Sequence, residues 1–344
     1  MKFSKVSLHT FGYVLPPLVL TSADIEARLA PVYERLRLPP GRLELMSGIR
    51  ERRLWEPGTR PSEAAAKAGQ DVLERGCIDP QEVECLIFTS VSRDMMEPAT
   101  ASFVHDRLGL SPNCLIFDLS NACLGFLDGM VLLASLIEQG QVNNGLLVAG
   151  ETAEELVEST IMELLNDQSL SRKTIKPAFA SLTIGSGSVG LFLCSSQEND
   201  GRPRLVQRAW QANTRYSRLC QGAQQGQSTT LMNTDSEELL LRGVETAQAT
   251  WQQFSSAHGW SGDDIDCFCC HQVGTAHARL LFSTLRLNSA MNFETLEFLG
   301  NVGSVSAPIT LAMAMEQQRF IAGQKAALLG IGSGINSLML GIEW

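Results

Sequence analysis

A strand-to-helix junction occupies residues 117–126, which read FDLSNACLGF. The apolar start of this stretch is typical of a buried strand, and the amphipathic run that follows is typical of a helix. Cys123 lies at the junction, where the unpaired N–H groups of a helix N-terminus favour an anion and lower the pKa of a thiol. Ala122 and Gly125 are small enough to let a substrate approach the backbone. The layout is that of a nucleophile elbow, although a buried structural cysteine fits this position equally well.

Strands and helices alternate outward from this junction, which is the pattern of a mostly parallel α/β sheet. Apolar runs predict strands at residues 85–91, 114–119, 145–150, 182–194, 266–271 and, as a pair, within 326–344. Helical periodicity predicts helices at residues 24–36, 61–75, 99–108, 126–139, 237–258, 275–285 and 305–321. The polar, turn-rich residues 195–203 (SSQENDGRP) lie near the middle of the chain and separate two series of elements.

The two series share a short motif. The tripeptide GSG occurs at residues 185–187, late in the first series, and at residues 332–334, late in the second. GSG is a common tripeptide, so its repetition alone is weak evidence that the two series are related. The linker near the middle of the chain agrees with such a relation. Together they predict a duplicated α/β unit, with halves at residues 1–198 and 199–344.

Composition and charge exclude several classes of protein. The 344-residue chain carries 27 basic against 37 acidic residues, a net charge of −10, which argues against a nucleic-acid partner. The length suffices for roughly two domains, and no apolar run is long enough to predict a transmembrane helix. Residues 1–23 have the lysines and apolar centre of a signal peptide, but Pro16 and Pro17 interrupt that centre. A first strand followed by a turn is favoured, and with it a cytoplasmic protein.

Nine cysteines, an odd number, are spread over the whole chain, which favours reduced thiols over a disulfide framework. Cys267, Cys269, Cys270 and His271 form a cluster that suggests a metal site. In a strand, however, Cys267 and Cys269 face one side and Cys270 faces the other. A structural zinc site also needs a second ligand pair, and the sequence has no other CxxC motif. We therefore expect no metal and interpret these cysteines as small core residues.

Three further features can serve a thiol nucleophile. His271 ends a predicted strand, where α/β proteins place their sites, although a structural histidine fits as well. Asn301 lies between glycines in residues 299–304 (LGNVGS), where an asparagine is ordinarily a turn residue. Residues 330–334 (GIGSG) can bring a backbone N–H group up to a substrate carbonyl. They lead into a strand rather than a helix, which argues against a dinucleotide fingerprint.

In this order, Cys123, His271, Asn301 and the glycine loop resemble the motifs of the thiolase superfamily over nearly the whole chain. The closest branch is ketoacyl synthase III, whose ACxGF and GNxxS motifs match residues 122–126 and 300–304, and whose HQxN motif corresponds to residues 271–274 (HQVG). The resemblance implies a thiolase fold, an α/β fold of two duplicated halves in five layers (α-β-α-β-α), and a homodimer. It implies that Cys123 takes an acyl group from a thioester, and that His271 and Asn301 polarise the carbonyl of a second substrate. The N–H groups of Cys123 and Ser333 would form the oxyanion hole.

The resemblance is incomplete at the coenzyme A clamp of the malonyl-using enzymes. A tryptophan and two arginines form that clamp, and the aligned positions here hold Arg42, Met46 and Ala276. Gly274 also replaces the asparagine of HQxN. These departures indicate that coenzyme A is bound by different residues or that the second substrate is different.

A subfamily, the OleA-type enzymes that condense two fatty acyl-CoA molecules head to head, resembles the sequence more closely. The resemblance lies in residues 89–102, 121–124, 150–153 and 330–334. In that subfamily the glutamate of the EPxTAS segment reaches the active site of the neighbouring subunit, and Glu97 is the matching residue. On the residues alone, Glu97 before Pro98 is more simply an acidic residue at a helix N-terminus.

The OleA-type resemblance implies an acyltransferase that catalyses a non-decarboxylative Claisen condensation. An ordinary acyl-CoA has no carboxylate to lose, so a positioned base must deprotonate its α-carbon, and a buried Glu97 with a raised pKa would suit. The product is a 2-alkyl-3-oxoacyl thioester or its acid, which enzymes of hydrocarbon formation would use. No cofactor beyond the coenzyme A of the substrates is implied. The alternatives are decarboxylative condensation with a malonyl thioester, acyl transfer to another acceptor, or a catalytically inactive partner subunit.

Overall fold

The computed structural model describes residues 3–196, 200–225 and 229–344. Its strands are β1 (Val6–Val14), β2 (Leu18–Thr21), β3 (Glu51–Leu54), β4 (Cys85–Phe88), β5 (Leu115–Asp118), β6 (Asn144–Glu151), β7 (Gly187–Ser195), β8 (Arg204–Ala212), β9 (Cys220–Gln225), β10 (Thr229–Thr234), β11 (Cys267–Cys270), β12 (Lys325–Gly332) and β13 (Asn336–Glu343). Its helices are α1 (Ser22–Arg28), α2 (Ala30–Leu36), α3 (Arg42–Ser47), α4 (Pro61–Gly76), α5 (Thr100–Leu108), α6 (Gly125–Glu138), α7 (Glu154–Asn166), α8 (Lys176–Phe179), α9 (Ser236–His258), α10 (Thr275–Leu285), α11 (Leu296–Leu299) and α12 (Ser306–Glu316).

Local sequence explains how the first helices begin and end. The hydroxyl of Thr21 accepts the N–H of Asp24, and the Asp24 carboxylate accepts the N–H of Thr21 in return, which caps α1. Pro31 lacks the N–H that would continue this helix, so the helix predicted over residues 24–36 is divided into α1 and α2. The other predicted elements are present, with their ends moved by a few residues. The sequence patterns did not predict a further set of elements: β2, β3, α3, α7, α8, β8, the hairpin β9–β10 and α11.

In the described part of the chain, nine strands form one mixed sheet in the order β11-β12-β13-β8-β1-β7-β6-β4-β5. In the series β1-β7-β6-β4-β5, the first two pairings are antiparallel and the last two are parallel. The series β8-β13-β12-β11 repeats this pattern with two antiparallel pairings and one parallel pairing. A parallel bridge between Phe268 and Asn292 lies where a fifth strand of the second series would follow. β1 and β8 join the two series through the pair Ser7 and Arg204.

Helices cover both faces of each series. α6 and α12 pack with the inner faces of both series in one central core, which includes Phe126, Leu133, Ile309 and Leu328. α4 and α5 cover the outer face of the first series, and α9 and α10 cover the outer face of the second. The order is therefore helix, sheet, helix, sheet, helix. None of the helices described here is both long and apolar enough to cross a bilayer.

The cysteines of β11 alternate between two cores. Cys267 and Cys269 face the central core, with their Sγ atoms 3.9 Å apart. Cys270 faces the outer core of the second series together with Phe268. Within the described ranges, no group of three or more His, Cys, Asp or Glu side chains is arranged to hold a metal ion. The strand alternation therefore separates the cysteines that the sequence places close together.

The repeated strand pattern supports the predicted duplication. The GSG tripeptide at residues 185–187 leads into β7, and the one at residues 332–334 leads from β12 into β13. β7 and β13 occupy equivalent places in the two series, each antiparallel to both of its neighbours. We propose halves at residues 1–198 and 199–344, although the boundary itself, within the predicted linker, lies outside the described residues.

Candidate active site

Cys123 lies in a tight bend between β5 and α6, here called the nucleophile elbow (residues 119–125). Ala122 has a φ of 48°, a left-handed conformation that a residue with a Cβ rarely adopts. Gly125 begins α6 against the carbonyl of Thr89, and a Cβ on it would lie 2.3 Å from that oxygen. The left-handed backbone of Ala122 and the close packing of Gly125 on Thr89 together form the sharp turn. They present Cys123 at the carboxyl edge of the first strand series, as the sequence predicts.

The glycine loop between β12 and β13 packs against the nucleophile elbow. A Cβ on Gly330 would lie 2.5 Å from Cδ2 of Leu124, and one on Gly332 would lie 3.0 Å from its Cγ, so the two glycines allow this close approach. Asn336 also joins them, because its Nδ2 donates to Oδ1 of Asn121 (3.2 Å) and to the carbonyl oxygen of Ser333 (3.3 Å). The turn that carries Ser333 and the elbow therefore brace each other. This arrangement is compatible with an oxyanion hole formed by both segments.

His271 follows β11 at the same edge of the second series. Its N–H donates to the carbonyl of Leu329 in β12 (2.9 Å), and its residue surface is 4% exposed. Gln272 fastens this strand end. Its Oε1 accepts the N–H of Thr295 (2.9 Å), and its Nε2 donates to Oγ1 of Thr310 in α12 (3.3 Å). The backbone that carries the imidazole is therefore held from both sides.

Burial keeps the imidazole of His271 neutral. Burial, together with a smaller effect of nearby His277, lowers the pKa of His271 to about 3. Burial likewise lowers the pKa of His277, in α10, to about 4. A neutral imidazole has one N–H donor and one acceptor nitrogen, so His271 can take a proton or polarise a carbonyl. His277 was not predicted as a site residue, because the helical pattern of residues 275–285 gives a histidine there no separate signal.

Asn301 is fixed by its backbone and by its side chain. Its N–H donates to the carbonyl of Thr183 (3.0 Å), and its own carbonyl accepts the N–H of Gly185 (2.9 Å). Its Oδ1 accepts the N–H of Gly303 (3.1 Å). Because Oδ1 accepts a hydrogen bond within the loop, the Nδ2 group is the part of the side chain that can donate to a substrate. That is the chemistry needed to polarise a carbonyl oxygen.

The thiol of Cys123 differs from the sequence-based expectation. Burial raises the pKa of Cys123 to about 12, and the charges of Cys220 and Glu151 contribute in the same direction. The expected lowering by the helix N-terminus is therefore wrong, because withdrawal of the thiol from water outweighs it. The resting enzyme holds a neutral thiol, so the proton must leave as the sulfur attacks.

This raised pKa predicts how Cys123 reacts with iodoacetamide. We expect slow alkylation near pH 7 and a rise of about tenfold per pH unit toward pH 10, because only the thiolate reacts and its fraction grows with pH below the pKa. Peptide mapping by mass spectrometry measures the rate, with exposed Cys77 as a control for reagent access. A rate that reaches its plateau below pH 8 would show that the pKa is lowered after all.

Glu97 lies on a surface loop, here called the Glu97 arm (residues 91–97), between β4 and α5. α5 begins at Thr100 with Ala99 as its N-cap, so Glu97 lies two residues before the cap, near the helix N-terminus but outside the helix. Its side chain is exposed rather than buried. Met95 and Met96 beside it are also exposed, Met96 to 93%. Burial of Glu97 in an active site would have to come from a partner subunit.

Comparison with known proteins places this chain in a family. The family model described as 3-oxoacyl-[acyl-carrier-protein (ACP)] synthase III matches residues 117–167, and the model of its C-terminal region matches residues 256–344. Acyl-CoA:acyl-CoA alkyltransferases of Shewanella oneidensis and Xanthomonas campestris are 37% and 34% identical, each over 100% of both chains. Crystal structures of Xanthomonas campestris OleA match at TM-scores of 0.94 and 0.95, at 34% identity, over 100% of this chain and 98–100% of theirs. The chain belongs to the OleA family.

OleA membership confirms the predicted thiolase fold and the ketoacyl synthase III-like character of the chain. It also confirms that the chain is an acyltransferase of the condensing type. A β-ketoacyl-[acyl-carrier-protein] synthase III from Koribacter versatilis is 25% identical over 99% of this chain. This identity is lower than that to the two acyl-CoA:acyl-CoA alkyltransferases.

The clamp positions adjoin one another in this OleA family member, yet they lack the clamp residues. A Cβ on Gly48, after α3, would lie 2.1 Å from Cγ2 of Thr275, so the end of α3 touches the start of α10. Met46 in α3 is 47% exposed, and Ala276 in α10 is exposed. Met46 and Ala276 therefore present an apolar and a small side chain at the two positions that align with the arginines of the malonyl-using branch.

Glu151 is a second residue near the site that the sequence patterns did not predict. It is the last residue of β6 and is 5% exposed. The sequence signal was a carboxylic acid directly after the apolar strand residues 145–150 (GLLVAG). Such a residue at the carboxyl edge of a buried strand is a candidate for a role in the site.

Proposed function

We propose that this OleA family member condenses two fatty acyl-CoA molecules head to head, without decarboxylation, through an acyl-Cys123 intermediate. The observation that carries the proposal is the 37% and 34% sequence identity, over the full length of both chains, to two acyl-CoA:acyl-CoA alkyltransferases. The braced pair of turns around Cys123 and Ser333 is the local geometry that supports it.

In the first half-reaction, the sulfur of Cys123 attacks the thioester carbonyl of one acyl-CoA. The neutral imidazole of His271 accepts the thiol proton, which then leaves with the coenzyme A thiol. The N–H groups of Cys123 and Ser333 stabilise the negative oxygen of the tetrahedral intermediate. The products of this step are the acyl-Cys123 thioester and free coenzyme A.

In the second half-reaction, His271 and the Nδ2 group of Asn301 donate to the carbonyl oxygen of the second acyl-CoA. The partner subunit's Glu97 removes its α-proton. The carbanion attacks the acyl-Cys123 carbonyl, a carbon–carbon bond forms, and the bond from that carbonyl to sulfur breaks. The proton that the partner subunit's Glu97 removed passes through solvent to the Cys123 thiolate, which regenerates both groups. The product is a 2-alkyl-3-oxoacyl-CoA or, after hydrolysis, its acid and free coenzyme A.

Supply of Glu97 by a partner requires a homodimer, for which the first strand series offers a surface. β5 is the last strand of the sheet order, and Leu115 in it is 49% exposed. An exposed edge strand with apolar side chains is a template for pairing with another chain. β5 leads directly into the nucleophile elbow, and Met95 and Met96 of the Glu97 arm are also exposed. A partner at this edge would lie beside Cys123.

The proposal also covers the cofactor requirement, the cellular compartment and the fate of the product. The reaction needs no cofactor beyond the coenzyme A of its substrates. The odd number of cysteines, spread over the chain, favours a reducing compartment such as the cytoplasm. Enzymes that form long-chain hydrocarbons would consume the product.

Mass spectrometry of the products tests the proposed function. The purified protein is given only a long-chain acyl-CoA, and we expect a condensed 3-oxo product, with none from a Cys123→Ala variant. A parallel reaction adds a malonyl thioester. Acylated Cys123 that yields a condensed product only with the malonyl thioester would replace the proposal with decarboxylative condensation. Failure to acylate Cys123 at all would favour an inactive partner subunit.

A further inference from the structure

The carboxyl group of Glu151 joins two separate segments of the candidate site. Its Oε1 accepts the N–H of Val91 (2.9 Å), and its Oε2 accepts the N–H of Ser92 (3.0 Å). Its Oε1 also accepts the N–H (3.2 Å) and the hydroxyl (2.8 Å) of Ser304. Four donors from two segments thus converge on one buried side chain. Buried carboxyl groups with this many partners hold their surroundings in one geometry.

Both segments carry residues that the proposed reaction uses. Val91 and Ser92 begin the Glu97 arm. Further along it, Asp94 accepts the N–H (2.8 Å) and the hydroxyl (2.6 Å) of Ser62, whereas Met95, Met96 and Glu97 are exposed. Ser304 lies in the same loop as Asn301. Gly303 in that loop packs directly on Glu151, and a Cβ on Gly303 would lie 3.0 Å from its Oε1. Glu151 is also close enough to Cys123 for its charge to act on the thiol.

We propose that Glu151 is a positioning residue that fastens the Glu97 arm to the Asn301 loop. The inference rests on the proposed function, because the arm matters only if Glu97 acts as a base. Glu151 itself contacts neither substrate nor the reacting atoms in this role. In a dimer, its bonds link the Asn301 loop of one active site to the arm that supplies the other site.

Glu151→Gln is the sharpest substitution, because it keeps the size of the side chain and removes one acceptor oxygen. In one amide orientation the NH₂ group faces the N–H of Ser92, and in the other it faces the donors of Val91 and Ser304. Two donors that face each other cannot form a hydrogen bond, so the variant loses at least one of the hydrogen bonds that hold the Glu97 arm or the Asn301 loop.

Glu154→Gln is the matched control. Glu154 lies three residues further along and accepts the N–H of Trp55 and the hydroxyl of Ser186. These partners belong neither to the Glu97 arm nor to the Asn301 loop. A general loss of stability would affect both variants, whereas loss of positioning would affect only Glu151→Gln.

The experiment compares two rates in wild type and both variants: acylation of Cys123 in a single turnover, and condensation at steady state. For Glu151→Gln we expect acylation no slower than in wild type, because loss of the charge removes one cause of the raised pKa of Cys123. We expect condensation reduced at least tenfold relative to acylation, and more hydrolysis of the acyl-enzyme to free fatty acid. Glu154→Gln should keep the wild-type ratio of the two rates. Thermal unfolding of each protein records its stability.

Three outcomes overturn the proposal or its premise. A folded Glu151→Gln variant with the wild-type ratio of condensation to acylation would disprove the positioning role. Equal loss of both rates in both variants would show a purely structural carboxyl group. Wild type that acylates Cys123 yet condenses nothing would instead disprove the proposed function. If Glu151→Gln does not fold, Ser304→Ala, which removes only the 2.8 Å hydroxyl bond, must lower the ratio several-fold.

Discussion

Replacing Glu97 with alanine is expected to lower the rate of condensation by roughly a hundred- to ten-thousand-fold, the usual contribution of a general base. The same variant should form acyl-Cys123 at close to the wild-type rate, because the first half-reaction uses Cys123, His271 and the oxyanion hole but no carbanion. Glu97 is exposed in the protomer, so its removal leaves no cavity and should cost little stability. Product mass spectrometry and single-turnover acylation measure the two rates.

Two further variants sharpen this prediction. Glu97→Gln keeps the shape of the side chain without a basic carboxylate, and it should lose condensation as fully as alanine does. Glu56→Ala, at another exposed loop glutamate, should leave both rates unchanged. Condensation that persists in Glu97→Ala would mean that another group removes the α-proton, and the proposed role of the Glu97 arm would then be wrong.

The fold was predictable because its signals are local. The apolar start of residues 117–126, the helix after it and the small residues around Cys123 lie within one short stretch. The alternation of Cys267 and Cys269 against Cys270 follows from the period of a strand, and the structure shows it. The five-layer arrangement was predicted only from the resemblance to the thiolase superfamily, because no single segment of the sequence indicates it.

The electrostatics of the site were not predictable from the same stretch. The pKa of Cys123 depends on how deeply the thiol is withdrawn from water and on the charges of Cys220 and Glu151, which come from other parts of the chain. A helix N-terminus is visible in the sequence, whereas the burial that outweighs it arises only when both halves pack together.

The role of Glu151 was hidden for a related reason. Its partners Val91, Ser92 and Ser304 are 59 to 153 residues away in the sequence. Sequence patterns placed a carboxylic acid at the end of a buried strand, but they could not indicate which loops it would join. The exposure of Glu97 is a similar case, because a residue completed by a second subunit has no partner within its own chain to predict.

Mixed dimers test directly whether Glu97 acts across the subunit boundary. We expect Cys123→Ala and Glu97→Ala to be inactive in condensation as separate homodimers. In a dimer with one subunit of each kind, the Glu97→Ala subunit provides Cys123, and its partner provides Glu97, so one of the two sites is complete. Co-expression with two affinity tags and purification through both should therefore restore about half of the wild-type rate per dimer, because a two-fold interface presents two equivalent sites.

The control for this experiment removes Glu97 from both subunits. A Glu97→Ala subunit paired with a Cys123→Ala/Glu97→Ala subunit should stay inactive, although it assembles through the same tags and surfaces. If Glu97 served the site of its own chain, neither mixed dimer would contain a complete site, and both would stay inactive. Restoration in the first mixed dimer and none in the second would therefore assign the base to the partner subunit. It would also explain why Glu97 is exposed in the protomer.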